Sequence, residues 1–151
     1  MSKPTRLPAQ RTRVLFVCIG NSCRSPMAEA IARHTAADVM DVASAGISPL
    51  GRVAELTHAI LAEKGIDSSG LESKGLRATR FLSPDLIINM SGMPGNSLFY
   101  GRVVEDWDVD DPYGDDLATY RRICEDIQAR VKALAERLRA QDKAKAKRKK
   151  A

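Results

Sequence analysis

The run Cys18-Ile19-Gly20-Asn21-Ser22-Cys23-Arg24-Ser25 brings thiol, hydroxyl and guanidinium groups together in consecutive residues. It follows an apolar stretch that begins at Val14, and it leads into Ser25-Pro26, a capping-type residue before a proline suited to the first position of a helix. A loop between a strand end and a helix start turns backbone N–H groups toward one point. The helix dipole adds positive potential there, so Ile19, Gly20, Asn21, Ser22 and Cys23 read as a cradle for a tetrahedral oxyanion. Arg24 can add paired charge-assisted hydrogen bonds to two of the oxygens. The same field favours a thiolate at Cys18, and a thiolate on the floor of such a cradle is a nucleophile aimed at phosphorus. A nucleotide-binding loop would need G-x-x-x-x-G-K-[ST], whereas this run has one glycine and no lysine. Alone, a cysteine in a buried strand is a small core hydrophobe. The spacing to Arg24, with Ser25 and Pro26 behind it, favours the nucleophile.

Alternating strands and helices would hold this loop. Val14 to Ile19 is continuous rather than alternating in polarity, which predicts a strand buried on both faces. A helix is expected from Pro26 to Ala37, with Ser25 as its N-cap and Glu29 in its first turn. A second strand fits Asp41 to Ala45, ending at Gly46. A second helix fits Ala54 to Lys64, with Leu56, Ile60 and Leu61 at helical spacing and Gly65 as its stop. Leu86 to Met90 reads as a third strand, followed by a loop with Gly92, Pro94 and Gly95. Arg102 to Trp107 reads as a fourth, followed by an acidic loop from Asp108 to Asp116. Leu117, Tyr120, Ile123, Cys124, Ile127, Val131, Leu134 and Leu138 then mark one stripe of a long helix. The pattern predicts an α/β fold: a four-stranded parallel sheet with helices on both faces and the ligand at the carboxyl ends of the strands.

Charge is unevenly distributed. The chain has 151 residues, with 24 Lys and Arg against 19 Asp and Glu, a net charge of +5. Residues 141–151 alone hold six bases and one acid, so residues 1–140 are neutral. Removing Lys3, Arg6, Arg11 and Arg13 as well leaves a body at −4, which argues against a basic nucleic-acid-binding domain. The expected organisation is a flexible basic lead over 1–12, one domain over 13–140, and a frayed, solvated Lys/Ala tail over 141–151. The tail's alternative reading is an electrostatic tether to nucleic acid, to a membrane or to an acidic partner. Three cysteines, two of them five residues apart, suggest reduced thiols, and no apolar run suits a signal or a membrane span. A cytoplasmic location is expected.

The stretch Val14 to Ala30, V-L-F-V-C-I-G-N-S-C-R-S-P-M-A-E-A, resembles the opening of the low-molecular-weight protein tyrosine phosphatase family. That family, in its wider sense, includes thioredoxin-linked arsenate reductases and bacterial protein-arginine phosphatases. The likeness continues through Ser44-Ala45-Gly46, Asp85 to Met90 and Asp111-Pro112-Tyr113. The resemblance implies a phosphotyrosine phosphatase I, or flavodoxin-like, three-layer fold and two-step phosphoryl transfer through a cysteinyl-phosphate on phosphorylated proteins. No metal or other cofactor is implied. It makes Cys18 the nucleophile, Arg24 the phosphate clamp and Ser25 a hydroxyl bonded to the thiolate. Asn21 would brace the loop through Ser44, and Asp111, which precedes Pro112, would be the general acid.

Departures from the family pattern leave the substrate open. Ser22 stands where phosphotyrosine enzymes resemble one another in an aliphatic residue, whereas phosphoarginine enzymes carry a small hydroxyl residue and arsenate reductases a serine. Trp107 to Pro112 resembles the reductases, but the loop from Met90 to Ser97 lacks the two cysteines their relay needs. Phosphatase, arsenate reductase and non-catalytic oxyanion-binding module are thus the three readings. Tyr113 is expected to wall the pocket and Trp107 to pack beneath the acid loop. Ser73 falls near a residue that braces Asn21 in relatives. Cys23 could form a reversible disulfide with Cys18, Cys124 belongs to the core, and His34 and His58 lack metal-ligand spacing.

Overall fold

A computed structural model describes residues 11–150. Strands β1 (Thr12–Cys18), β2 (Met40–Gly46), β3 (Leu86–Asn89) and β4 (Val104–Asp106) alternate with helices α1 (Arg24–Thr35), α2 (Glu55–Glu63), α3 (Gly95–Leu98) and α4 (Leu117–Lys150). The strands form one parallel sheet in the order β2-β1-β3-β4. β1 therefore lies where the winding reverses, and its carboxyl end is the position at which such sheets open a crevice for a ligand. Cys18 is the last residue of β1.

Alternate residues of β1 serve two cores. Val14, Phe16 and Cys18 face a large cluster with Met27 and Ile31 of α1, Ile60 and Leu61 of α2, and Tyr120, Ile123, Ile127 and Val131 of α4. Leu15 and Val17 face a smaller cluster with Phe81 and Ile87, flanked by Leu76 and by Phe99 at the end of α3. Trp107 is buried under the acidic loop with its ring centroid 6.0 Å from that of Phe16.

Several boundaries move. β1 starts at Thr12, whose N–H donates to Val39, and Arg11 bonds the Ala37 carbonyl, so the expected lead ends earlier than residue 12; its first ten residues lie outside those described. β1 and β3 each stop one residue early, because Ile19 and Met90 already turn into the site loops. β4 keeps only three of its six expected residues, and residues 95–98, expected as loop, form α3. The tail is not frayed: α4 continues without a break to Lys150. Ala, Lys and Arg are strong helix formers, and the packed first turns have already met the cost of nucleation.

Candidate active site

Ile19 to Cys23 link β1 to α1, and Arg24 is the first helical residue. The carbonyls of Cys18, Ile19, Gly20 and Ser22 accept hydrogen bonds from Ile47, Ser48, Leu50 and Ala54 respectively, at 2.8 to 3.1 Å. In a trans peptide the N–H points opposite to the C=O, so the following amides are turned to the other side of the loop. Asn21 makes the turn in the left-handed region at φ 48°, a conformation asparagine tolerates better than most residues. Gly46 lets β2 end against the loop: a Cβ there would lie 2.6 Å from the Ile19 carbonyl oxygen and 2.8 Å from the Asn21 nitrogen.

Ser25 is not the helix cap. Cys23 holds that position and makes no side-chain cap bond, while Ser25 lies within the first turn with its Oγ 2.9 Å from Cys18 Sγ. Uncapped, the first N–H groups of α1 remain available to an anion.

Behind the loop, a buried polar chain has a defined direction. The Lys74 N–H donates to Asn21 Oδ1 at 2.9 Å, which fixes the amide and sends its Nδ2 to Ser25 Oγ at 2.7 Å and Ser44 Oγ at 3.0 Å. Ser44 passes its own hydrogen to Glu29 Oε1 at 2.6 Å, and Arg33 pairs with Glu29 Oε2 at 2.7 Å. Ser25, already an acceptor, has its hydrogen left for Cys18 Sγ, the nearer of its two acceptors; the Ala45 carbonyl is 3.4 Å away. A hydroxyl donated to sulfur stabilises a thiolate. Glu29, expected only to support the first turn of α1, is 5% exposed and anchors this chain. Ser73 does not reach Asn21. Its hydroxyl donates to the Gly20 carbonyl at 2.9 Å and accepts the Gly51 N–H at 3.0 Å, so the bond to Asn21 comes from the Lys74 backbone instead.

The loop floors a cleft of about 240 Å³ in which Cys18, Ser22 and Arg24 meet Leu50, Asp111 and Tyr113. Arg24 is 6% exposed; its Nη1 donates to the carbonyls of Met90 and Val109, and its Nη2 lies 3.5 Å from Asp111 Oδ2. Its Nε is buried with no partner among the described residues. An orphaned guanidinium N–H is costly, and the Nε and Nη2 edge is the one that takes two oxygens of an anion. Asp111 Oδ1 accepts the Tyr113 N–H, a local turn that holds the carboxylate at the rim. The acidic loop is tied to α4 by Arg130, which bonds the Asp108 carbonyl, and by Arg122 beside Asp110.

All three cysteines are free thiols. Burial pushes the Cys23 thiol above its ordinary range, and its Sγ lies 3.3 Å from the Tyr120 hydroxyl, which burial raises as well. Cys124 lies in the core, where burial pushes it up to about 11. His34 is exposed, and His58 Nδ1 meets Ser68 Oγ at 2.7 Å.

Comparison with known proteins places the chain in a family. A probable low molecular weight protein-tyrosine-phosphatase, EpsP, of Ralstonia nicotianae is 35% identical over 140 residues, 84% of this chain and 96% of that one. A protein-arginine-phosphatase of Geobacillus stearothermophilus is 31% identical over 144 residues, 85% of this chain and 97% of its own. The solved structure of an arsenate reductase in the phosphate binding state superposes with a TM-score of 0.76 at 31% identity, covering 84% of this chain and 98% of that one. The family model described as low molecular weight phosphotyrosine protein phosphatase matches residues 13–145, and the chain belongs to that family.

Proposed function

We propose that this protein is a phosphatase that hydrolyses phosphotyrosine or phosphoarginine on proteins through a cysteinyl-phosphate. The observation that carries the reading is the single cleft shared by Cys18, Asp111 and Arg24, with Arg24 Nε buried and unpaired. A phosphoryl group entering the loop takes the inward amides and the Nε and Nη2 edge of Arg24, and so displaces Asp111 from the guanidinium; Asp111 takes a proton from solvent and enters the reaction as the carboxylic acid. Cys18 thiolate attacks phosphorus. The bond to the leaving oxygen or nitrogen breaks, and Asp111 supplies its proton. The deprotonated Asp111 then takes a proton from water, which attacks the cysteinyl-phosphate, releasing phosphate and the thiolate. Arg24 and the backbone N–H groups stabilise the charge of both transition states.

Ser22 lines the cleft and supports phosphoarginine, while the exposed ring of Tyr113 supports an aryl group. Reduction of arsenate is the second reading. The arsenate reductase likeness favours it, and the lack of cysteine from Met90 to Ser97 opposes it. Steady-state kinetics on matched phosphotyrosine and phosphoarginine peptides, with arsenite release assayed beside them, test the proposal. Peptide dephosphorylation that vanishes in Cys18→Ser is expected. Thioredoxin- or glutaredoxin-dependent arsenite release without peptide turnover would overturn it.

A further inference from the structure

The helical end of α4 lies beyond the last buried residue of its apolar stripe, Leu138, and the phosphatase reading does not use it. Lys143, Lys145, Lys147, Arg148 and Lys149 are all exposed. At about 100° per residue they fall near 0°, 200°, 40°, 140° and 240° around the axis, so the helix presents positive charge on every side. Only alanines lie between them. A helix that settles into a bilayer surface needs an apolar face of larger side chains opposite its charges, and this segment has none.

Linear charge density points elsewhere. From Lys143 to Lys149 the axis advances about 9 Å, and a nucleic-acid duplex carries about five phosphate charges in that length. The two densities match. Residues 14–140 carry −4 and Asp85 is within electrostatic reach of Lys145, but residues 141–151 carry +5, so the segment keeps a surplus of positive charge. Its direction matters too. The start of α4 is beside the catalytic loop, where Tyr120 meets Cys23, and Lys143 is about 35 Å farther along the axis. The mouth of the cleft is bordered by the acidic loop with Asp108, Asp110, Asp111, Asp115 and Asp116, which repels a polyanion.

We propose that the C-terminal end of α4 is a docking surface for nucleic acid, gripping the phosphate backbone without reading bases and leaving the cleft open. The test uses the full chain and a full-length variant with K143Q, K145Q, K147Q, R148Q and K149Q, since glutamine keeps the helix. Circular dichroism checks that both are folded. Binding of a fluorescent mixed-sequence 30-base-pair duplex is followed by anisotropy from 50 to 200 mM salt, beside anionic phosphatidylglycerol vesicles and poly-glutamate at matched charge. For the native chain, log K should fall with log salt with a slope of about −4, near −0.9 for each phosphate neutralised. The variant should bind at least tenfold more weakly at 50 mM salt with a much shallower slope, and both should turn over a small aryl phosphate equally. Variant affinity within threefold of native, no binding by the native chain, or equal or tighter binding to vesicles or poly-glutamate would overturn the proposal.

Discussion

Ser44→Ala strikes the polar chain behind Cys18 at a point where its cost can be worked out. Ser44 is fully buried, donates to the buried Glu29 carboxylate at 2.6 Å and accepts from Asn21 Nδ2 at 3.0 Å. A hydrogen bond to a charged group is worth about 2 kcal/mol net and a neutral one about 1 kcal/mol, so the substitution should cost about 3 kcal/mol. With an m-value of about 2 kcal/mol/M, the urea midpoint falls by about 1.5 M. Glu29→Gln removes the charge but keeps the volume and should cost about 2 kcal/mol. The double variant should cost less than the sum by about 1 kcal/mol or more, because the two residues share one bond. Catalysis should follow, since Asn21 then holds Ser25 less firmly and Ser25 orients on the thiolate. A tenfold loss of kcat on an aryl phosphate corresponds to about 1.4 kcal/mol, and KM should change by less than a factor of about three. If Ser44→Ala costs under about 0.5 kcal/mol and the cycle is additive, the buried chain does not support the site as argued.

Gly46→Ala forces a Cβ onto the backbone of Ile19 and Asn21; it should cost about 2 to 3 kcal/mol in urea melts and lower turnover more than tenfold, and a neutral result would contradict the packing. Ser73→Ala unties Gly20 from Gly51 and loosens the loop that carries Leu50. Steady-state kinetics on aryl substrates should then show KM raised about fivefold with kcat within about twofold, whereas a loss confined to kcat would assign Ser73 a different part. Iodoacetamide at about pH 7.5 should modify Cys18 in the cleft, with phosphate protecting it, and spare Cys124. Burial holds Cys124 at about 11, so only about 3 in 10,000 of its thiols are ionised there, and equal labelling by peptide mapping would refute that burial.

Cys18 and Arg24, two of the groups the proposed reaction uses, stood out in the sequence because they lie in one short run whose flanks announce a strand end and a helix start, whereas Asp111 lies in the distant acidic loop. The three best elements were legible for a similar reason: β1 and β3 are continuous apolar runs, and α4 repeats its apolar positions over many turns. What escaped was decided across distance. Glu29 looks like any helix-surface acid until β2 brings Ser44 against it, fifteen residues away in the chain. The brace on Asn21 comes from a backbone N–H at Lys74, fifty-three residues away, and a backbone donor has no residue type to read. Ser25-Pro26 imitates a capped helix start, yet the serine hydroxyl goes to Cys18 because an anion site leaves its helix terminus open. β4 was read as a strand but not in its bounds: only three residues, two of them acids, pair at the sheet edge, too few for polarity to mark where the strand starts and stops.

The claim most open to direct test is that phosphate passes through Cys18. Asp111→Asn should slow the second step by about 10² to 10⁴, while p-nitrophenyl phosphate, whose leaving group needs no proton from Asp111, keeps the first step running. Acid quench of that variant with an aryl phosphate, followed by intact mass and peptide mapping, should show one phosphoryl group on the peptide carrying Cys18, absent when Cys18→Ser is added. Phosphate on any other residue, or sustained turnover in Cys18→Ser, would contradict the account.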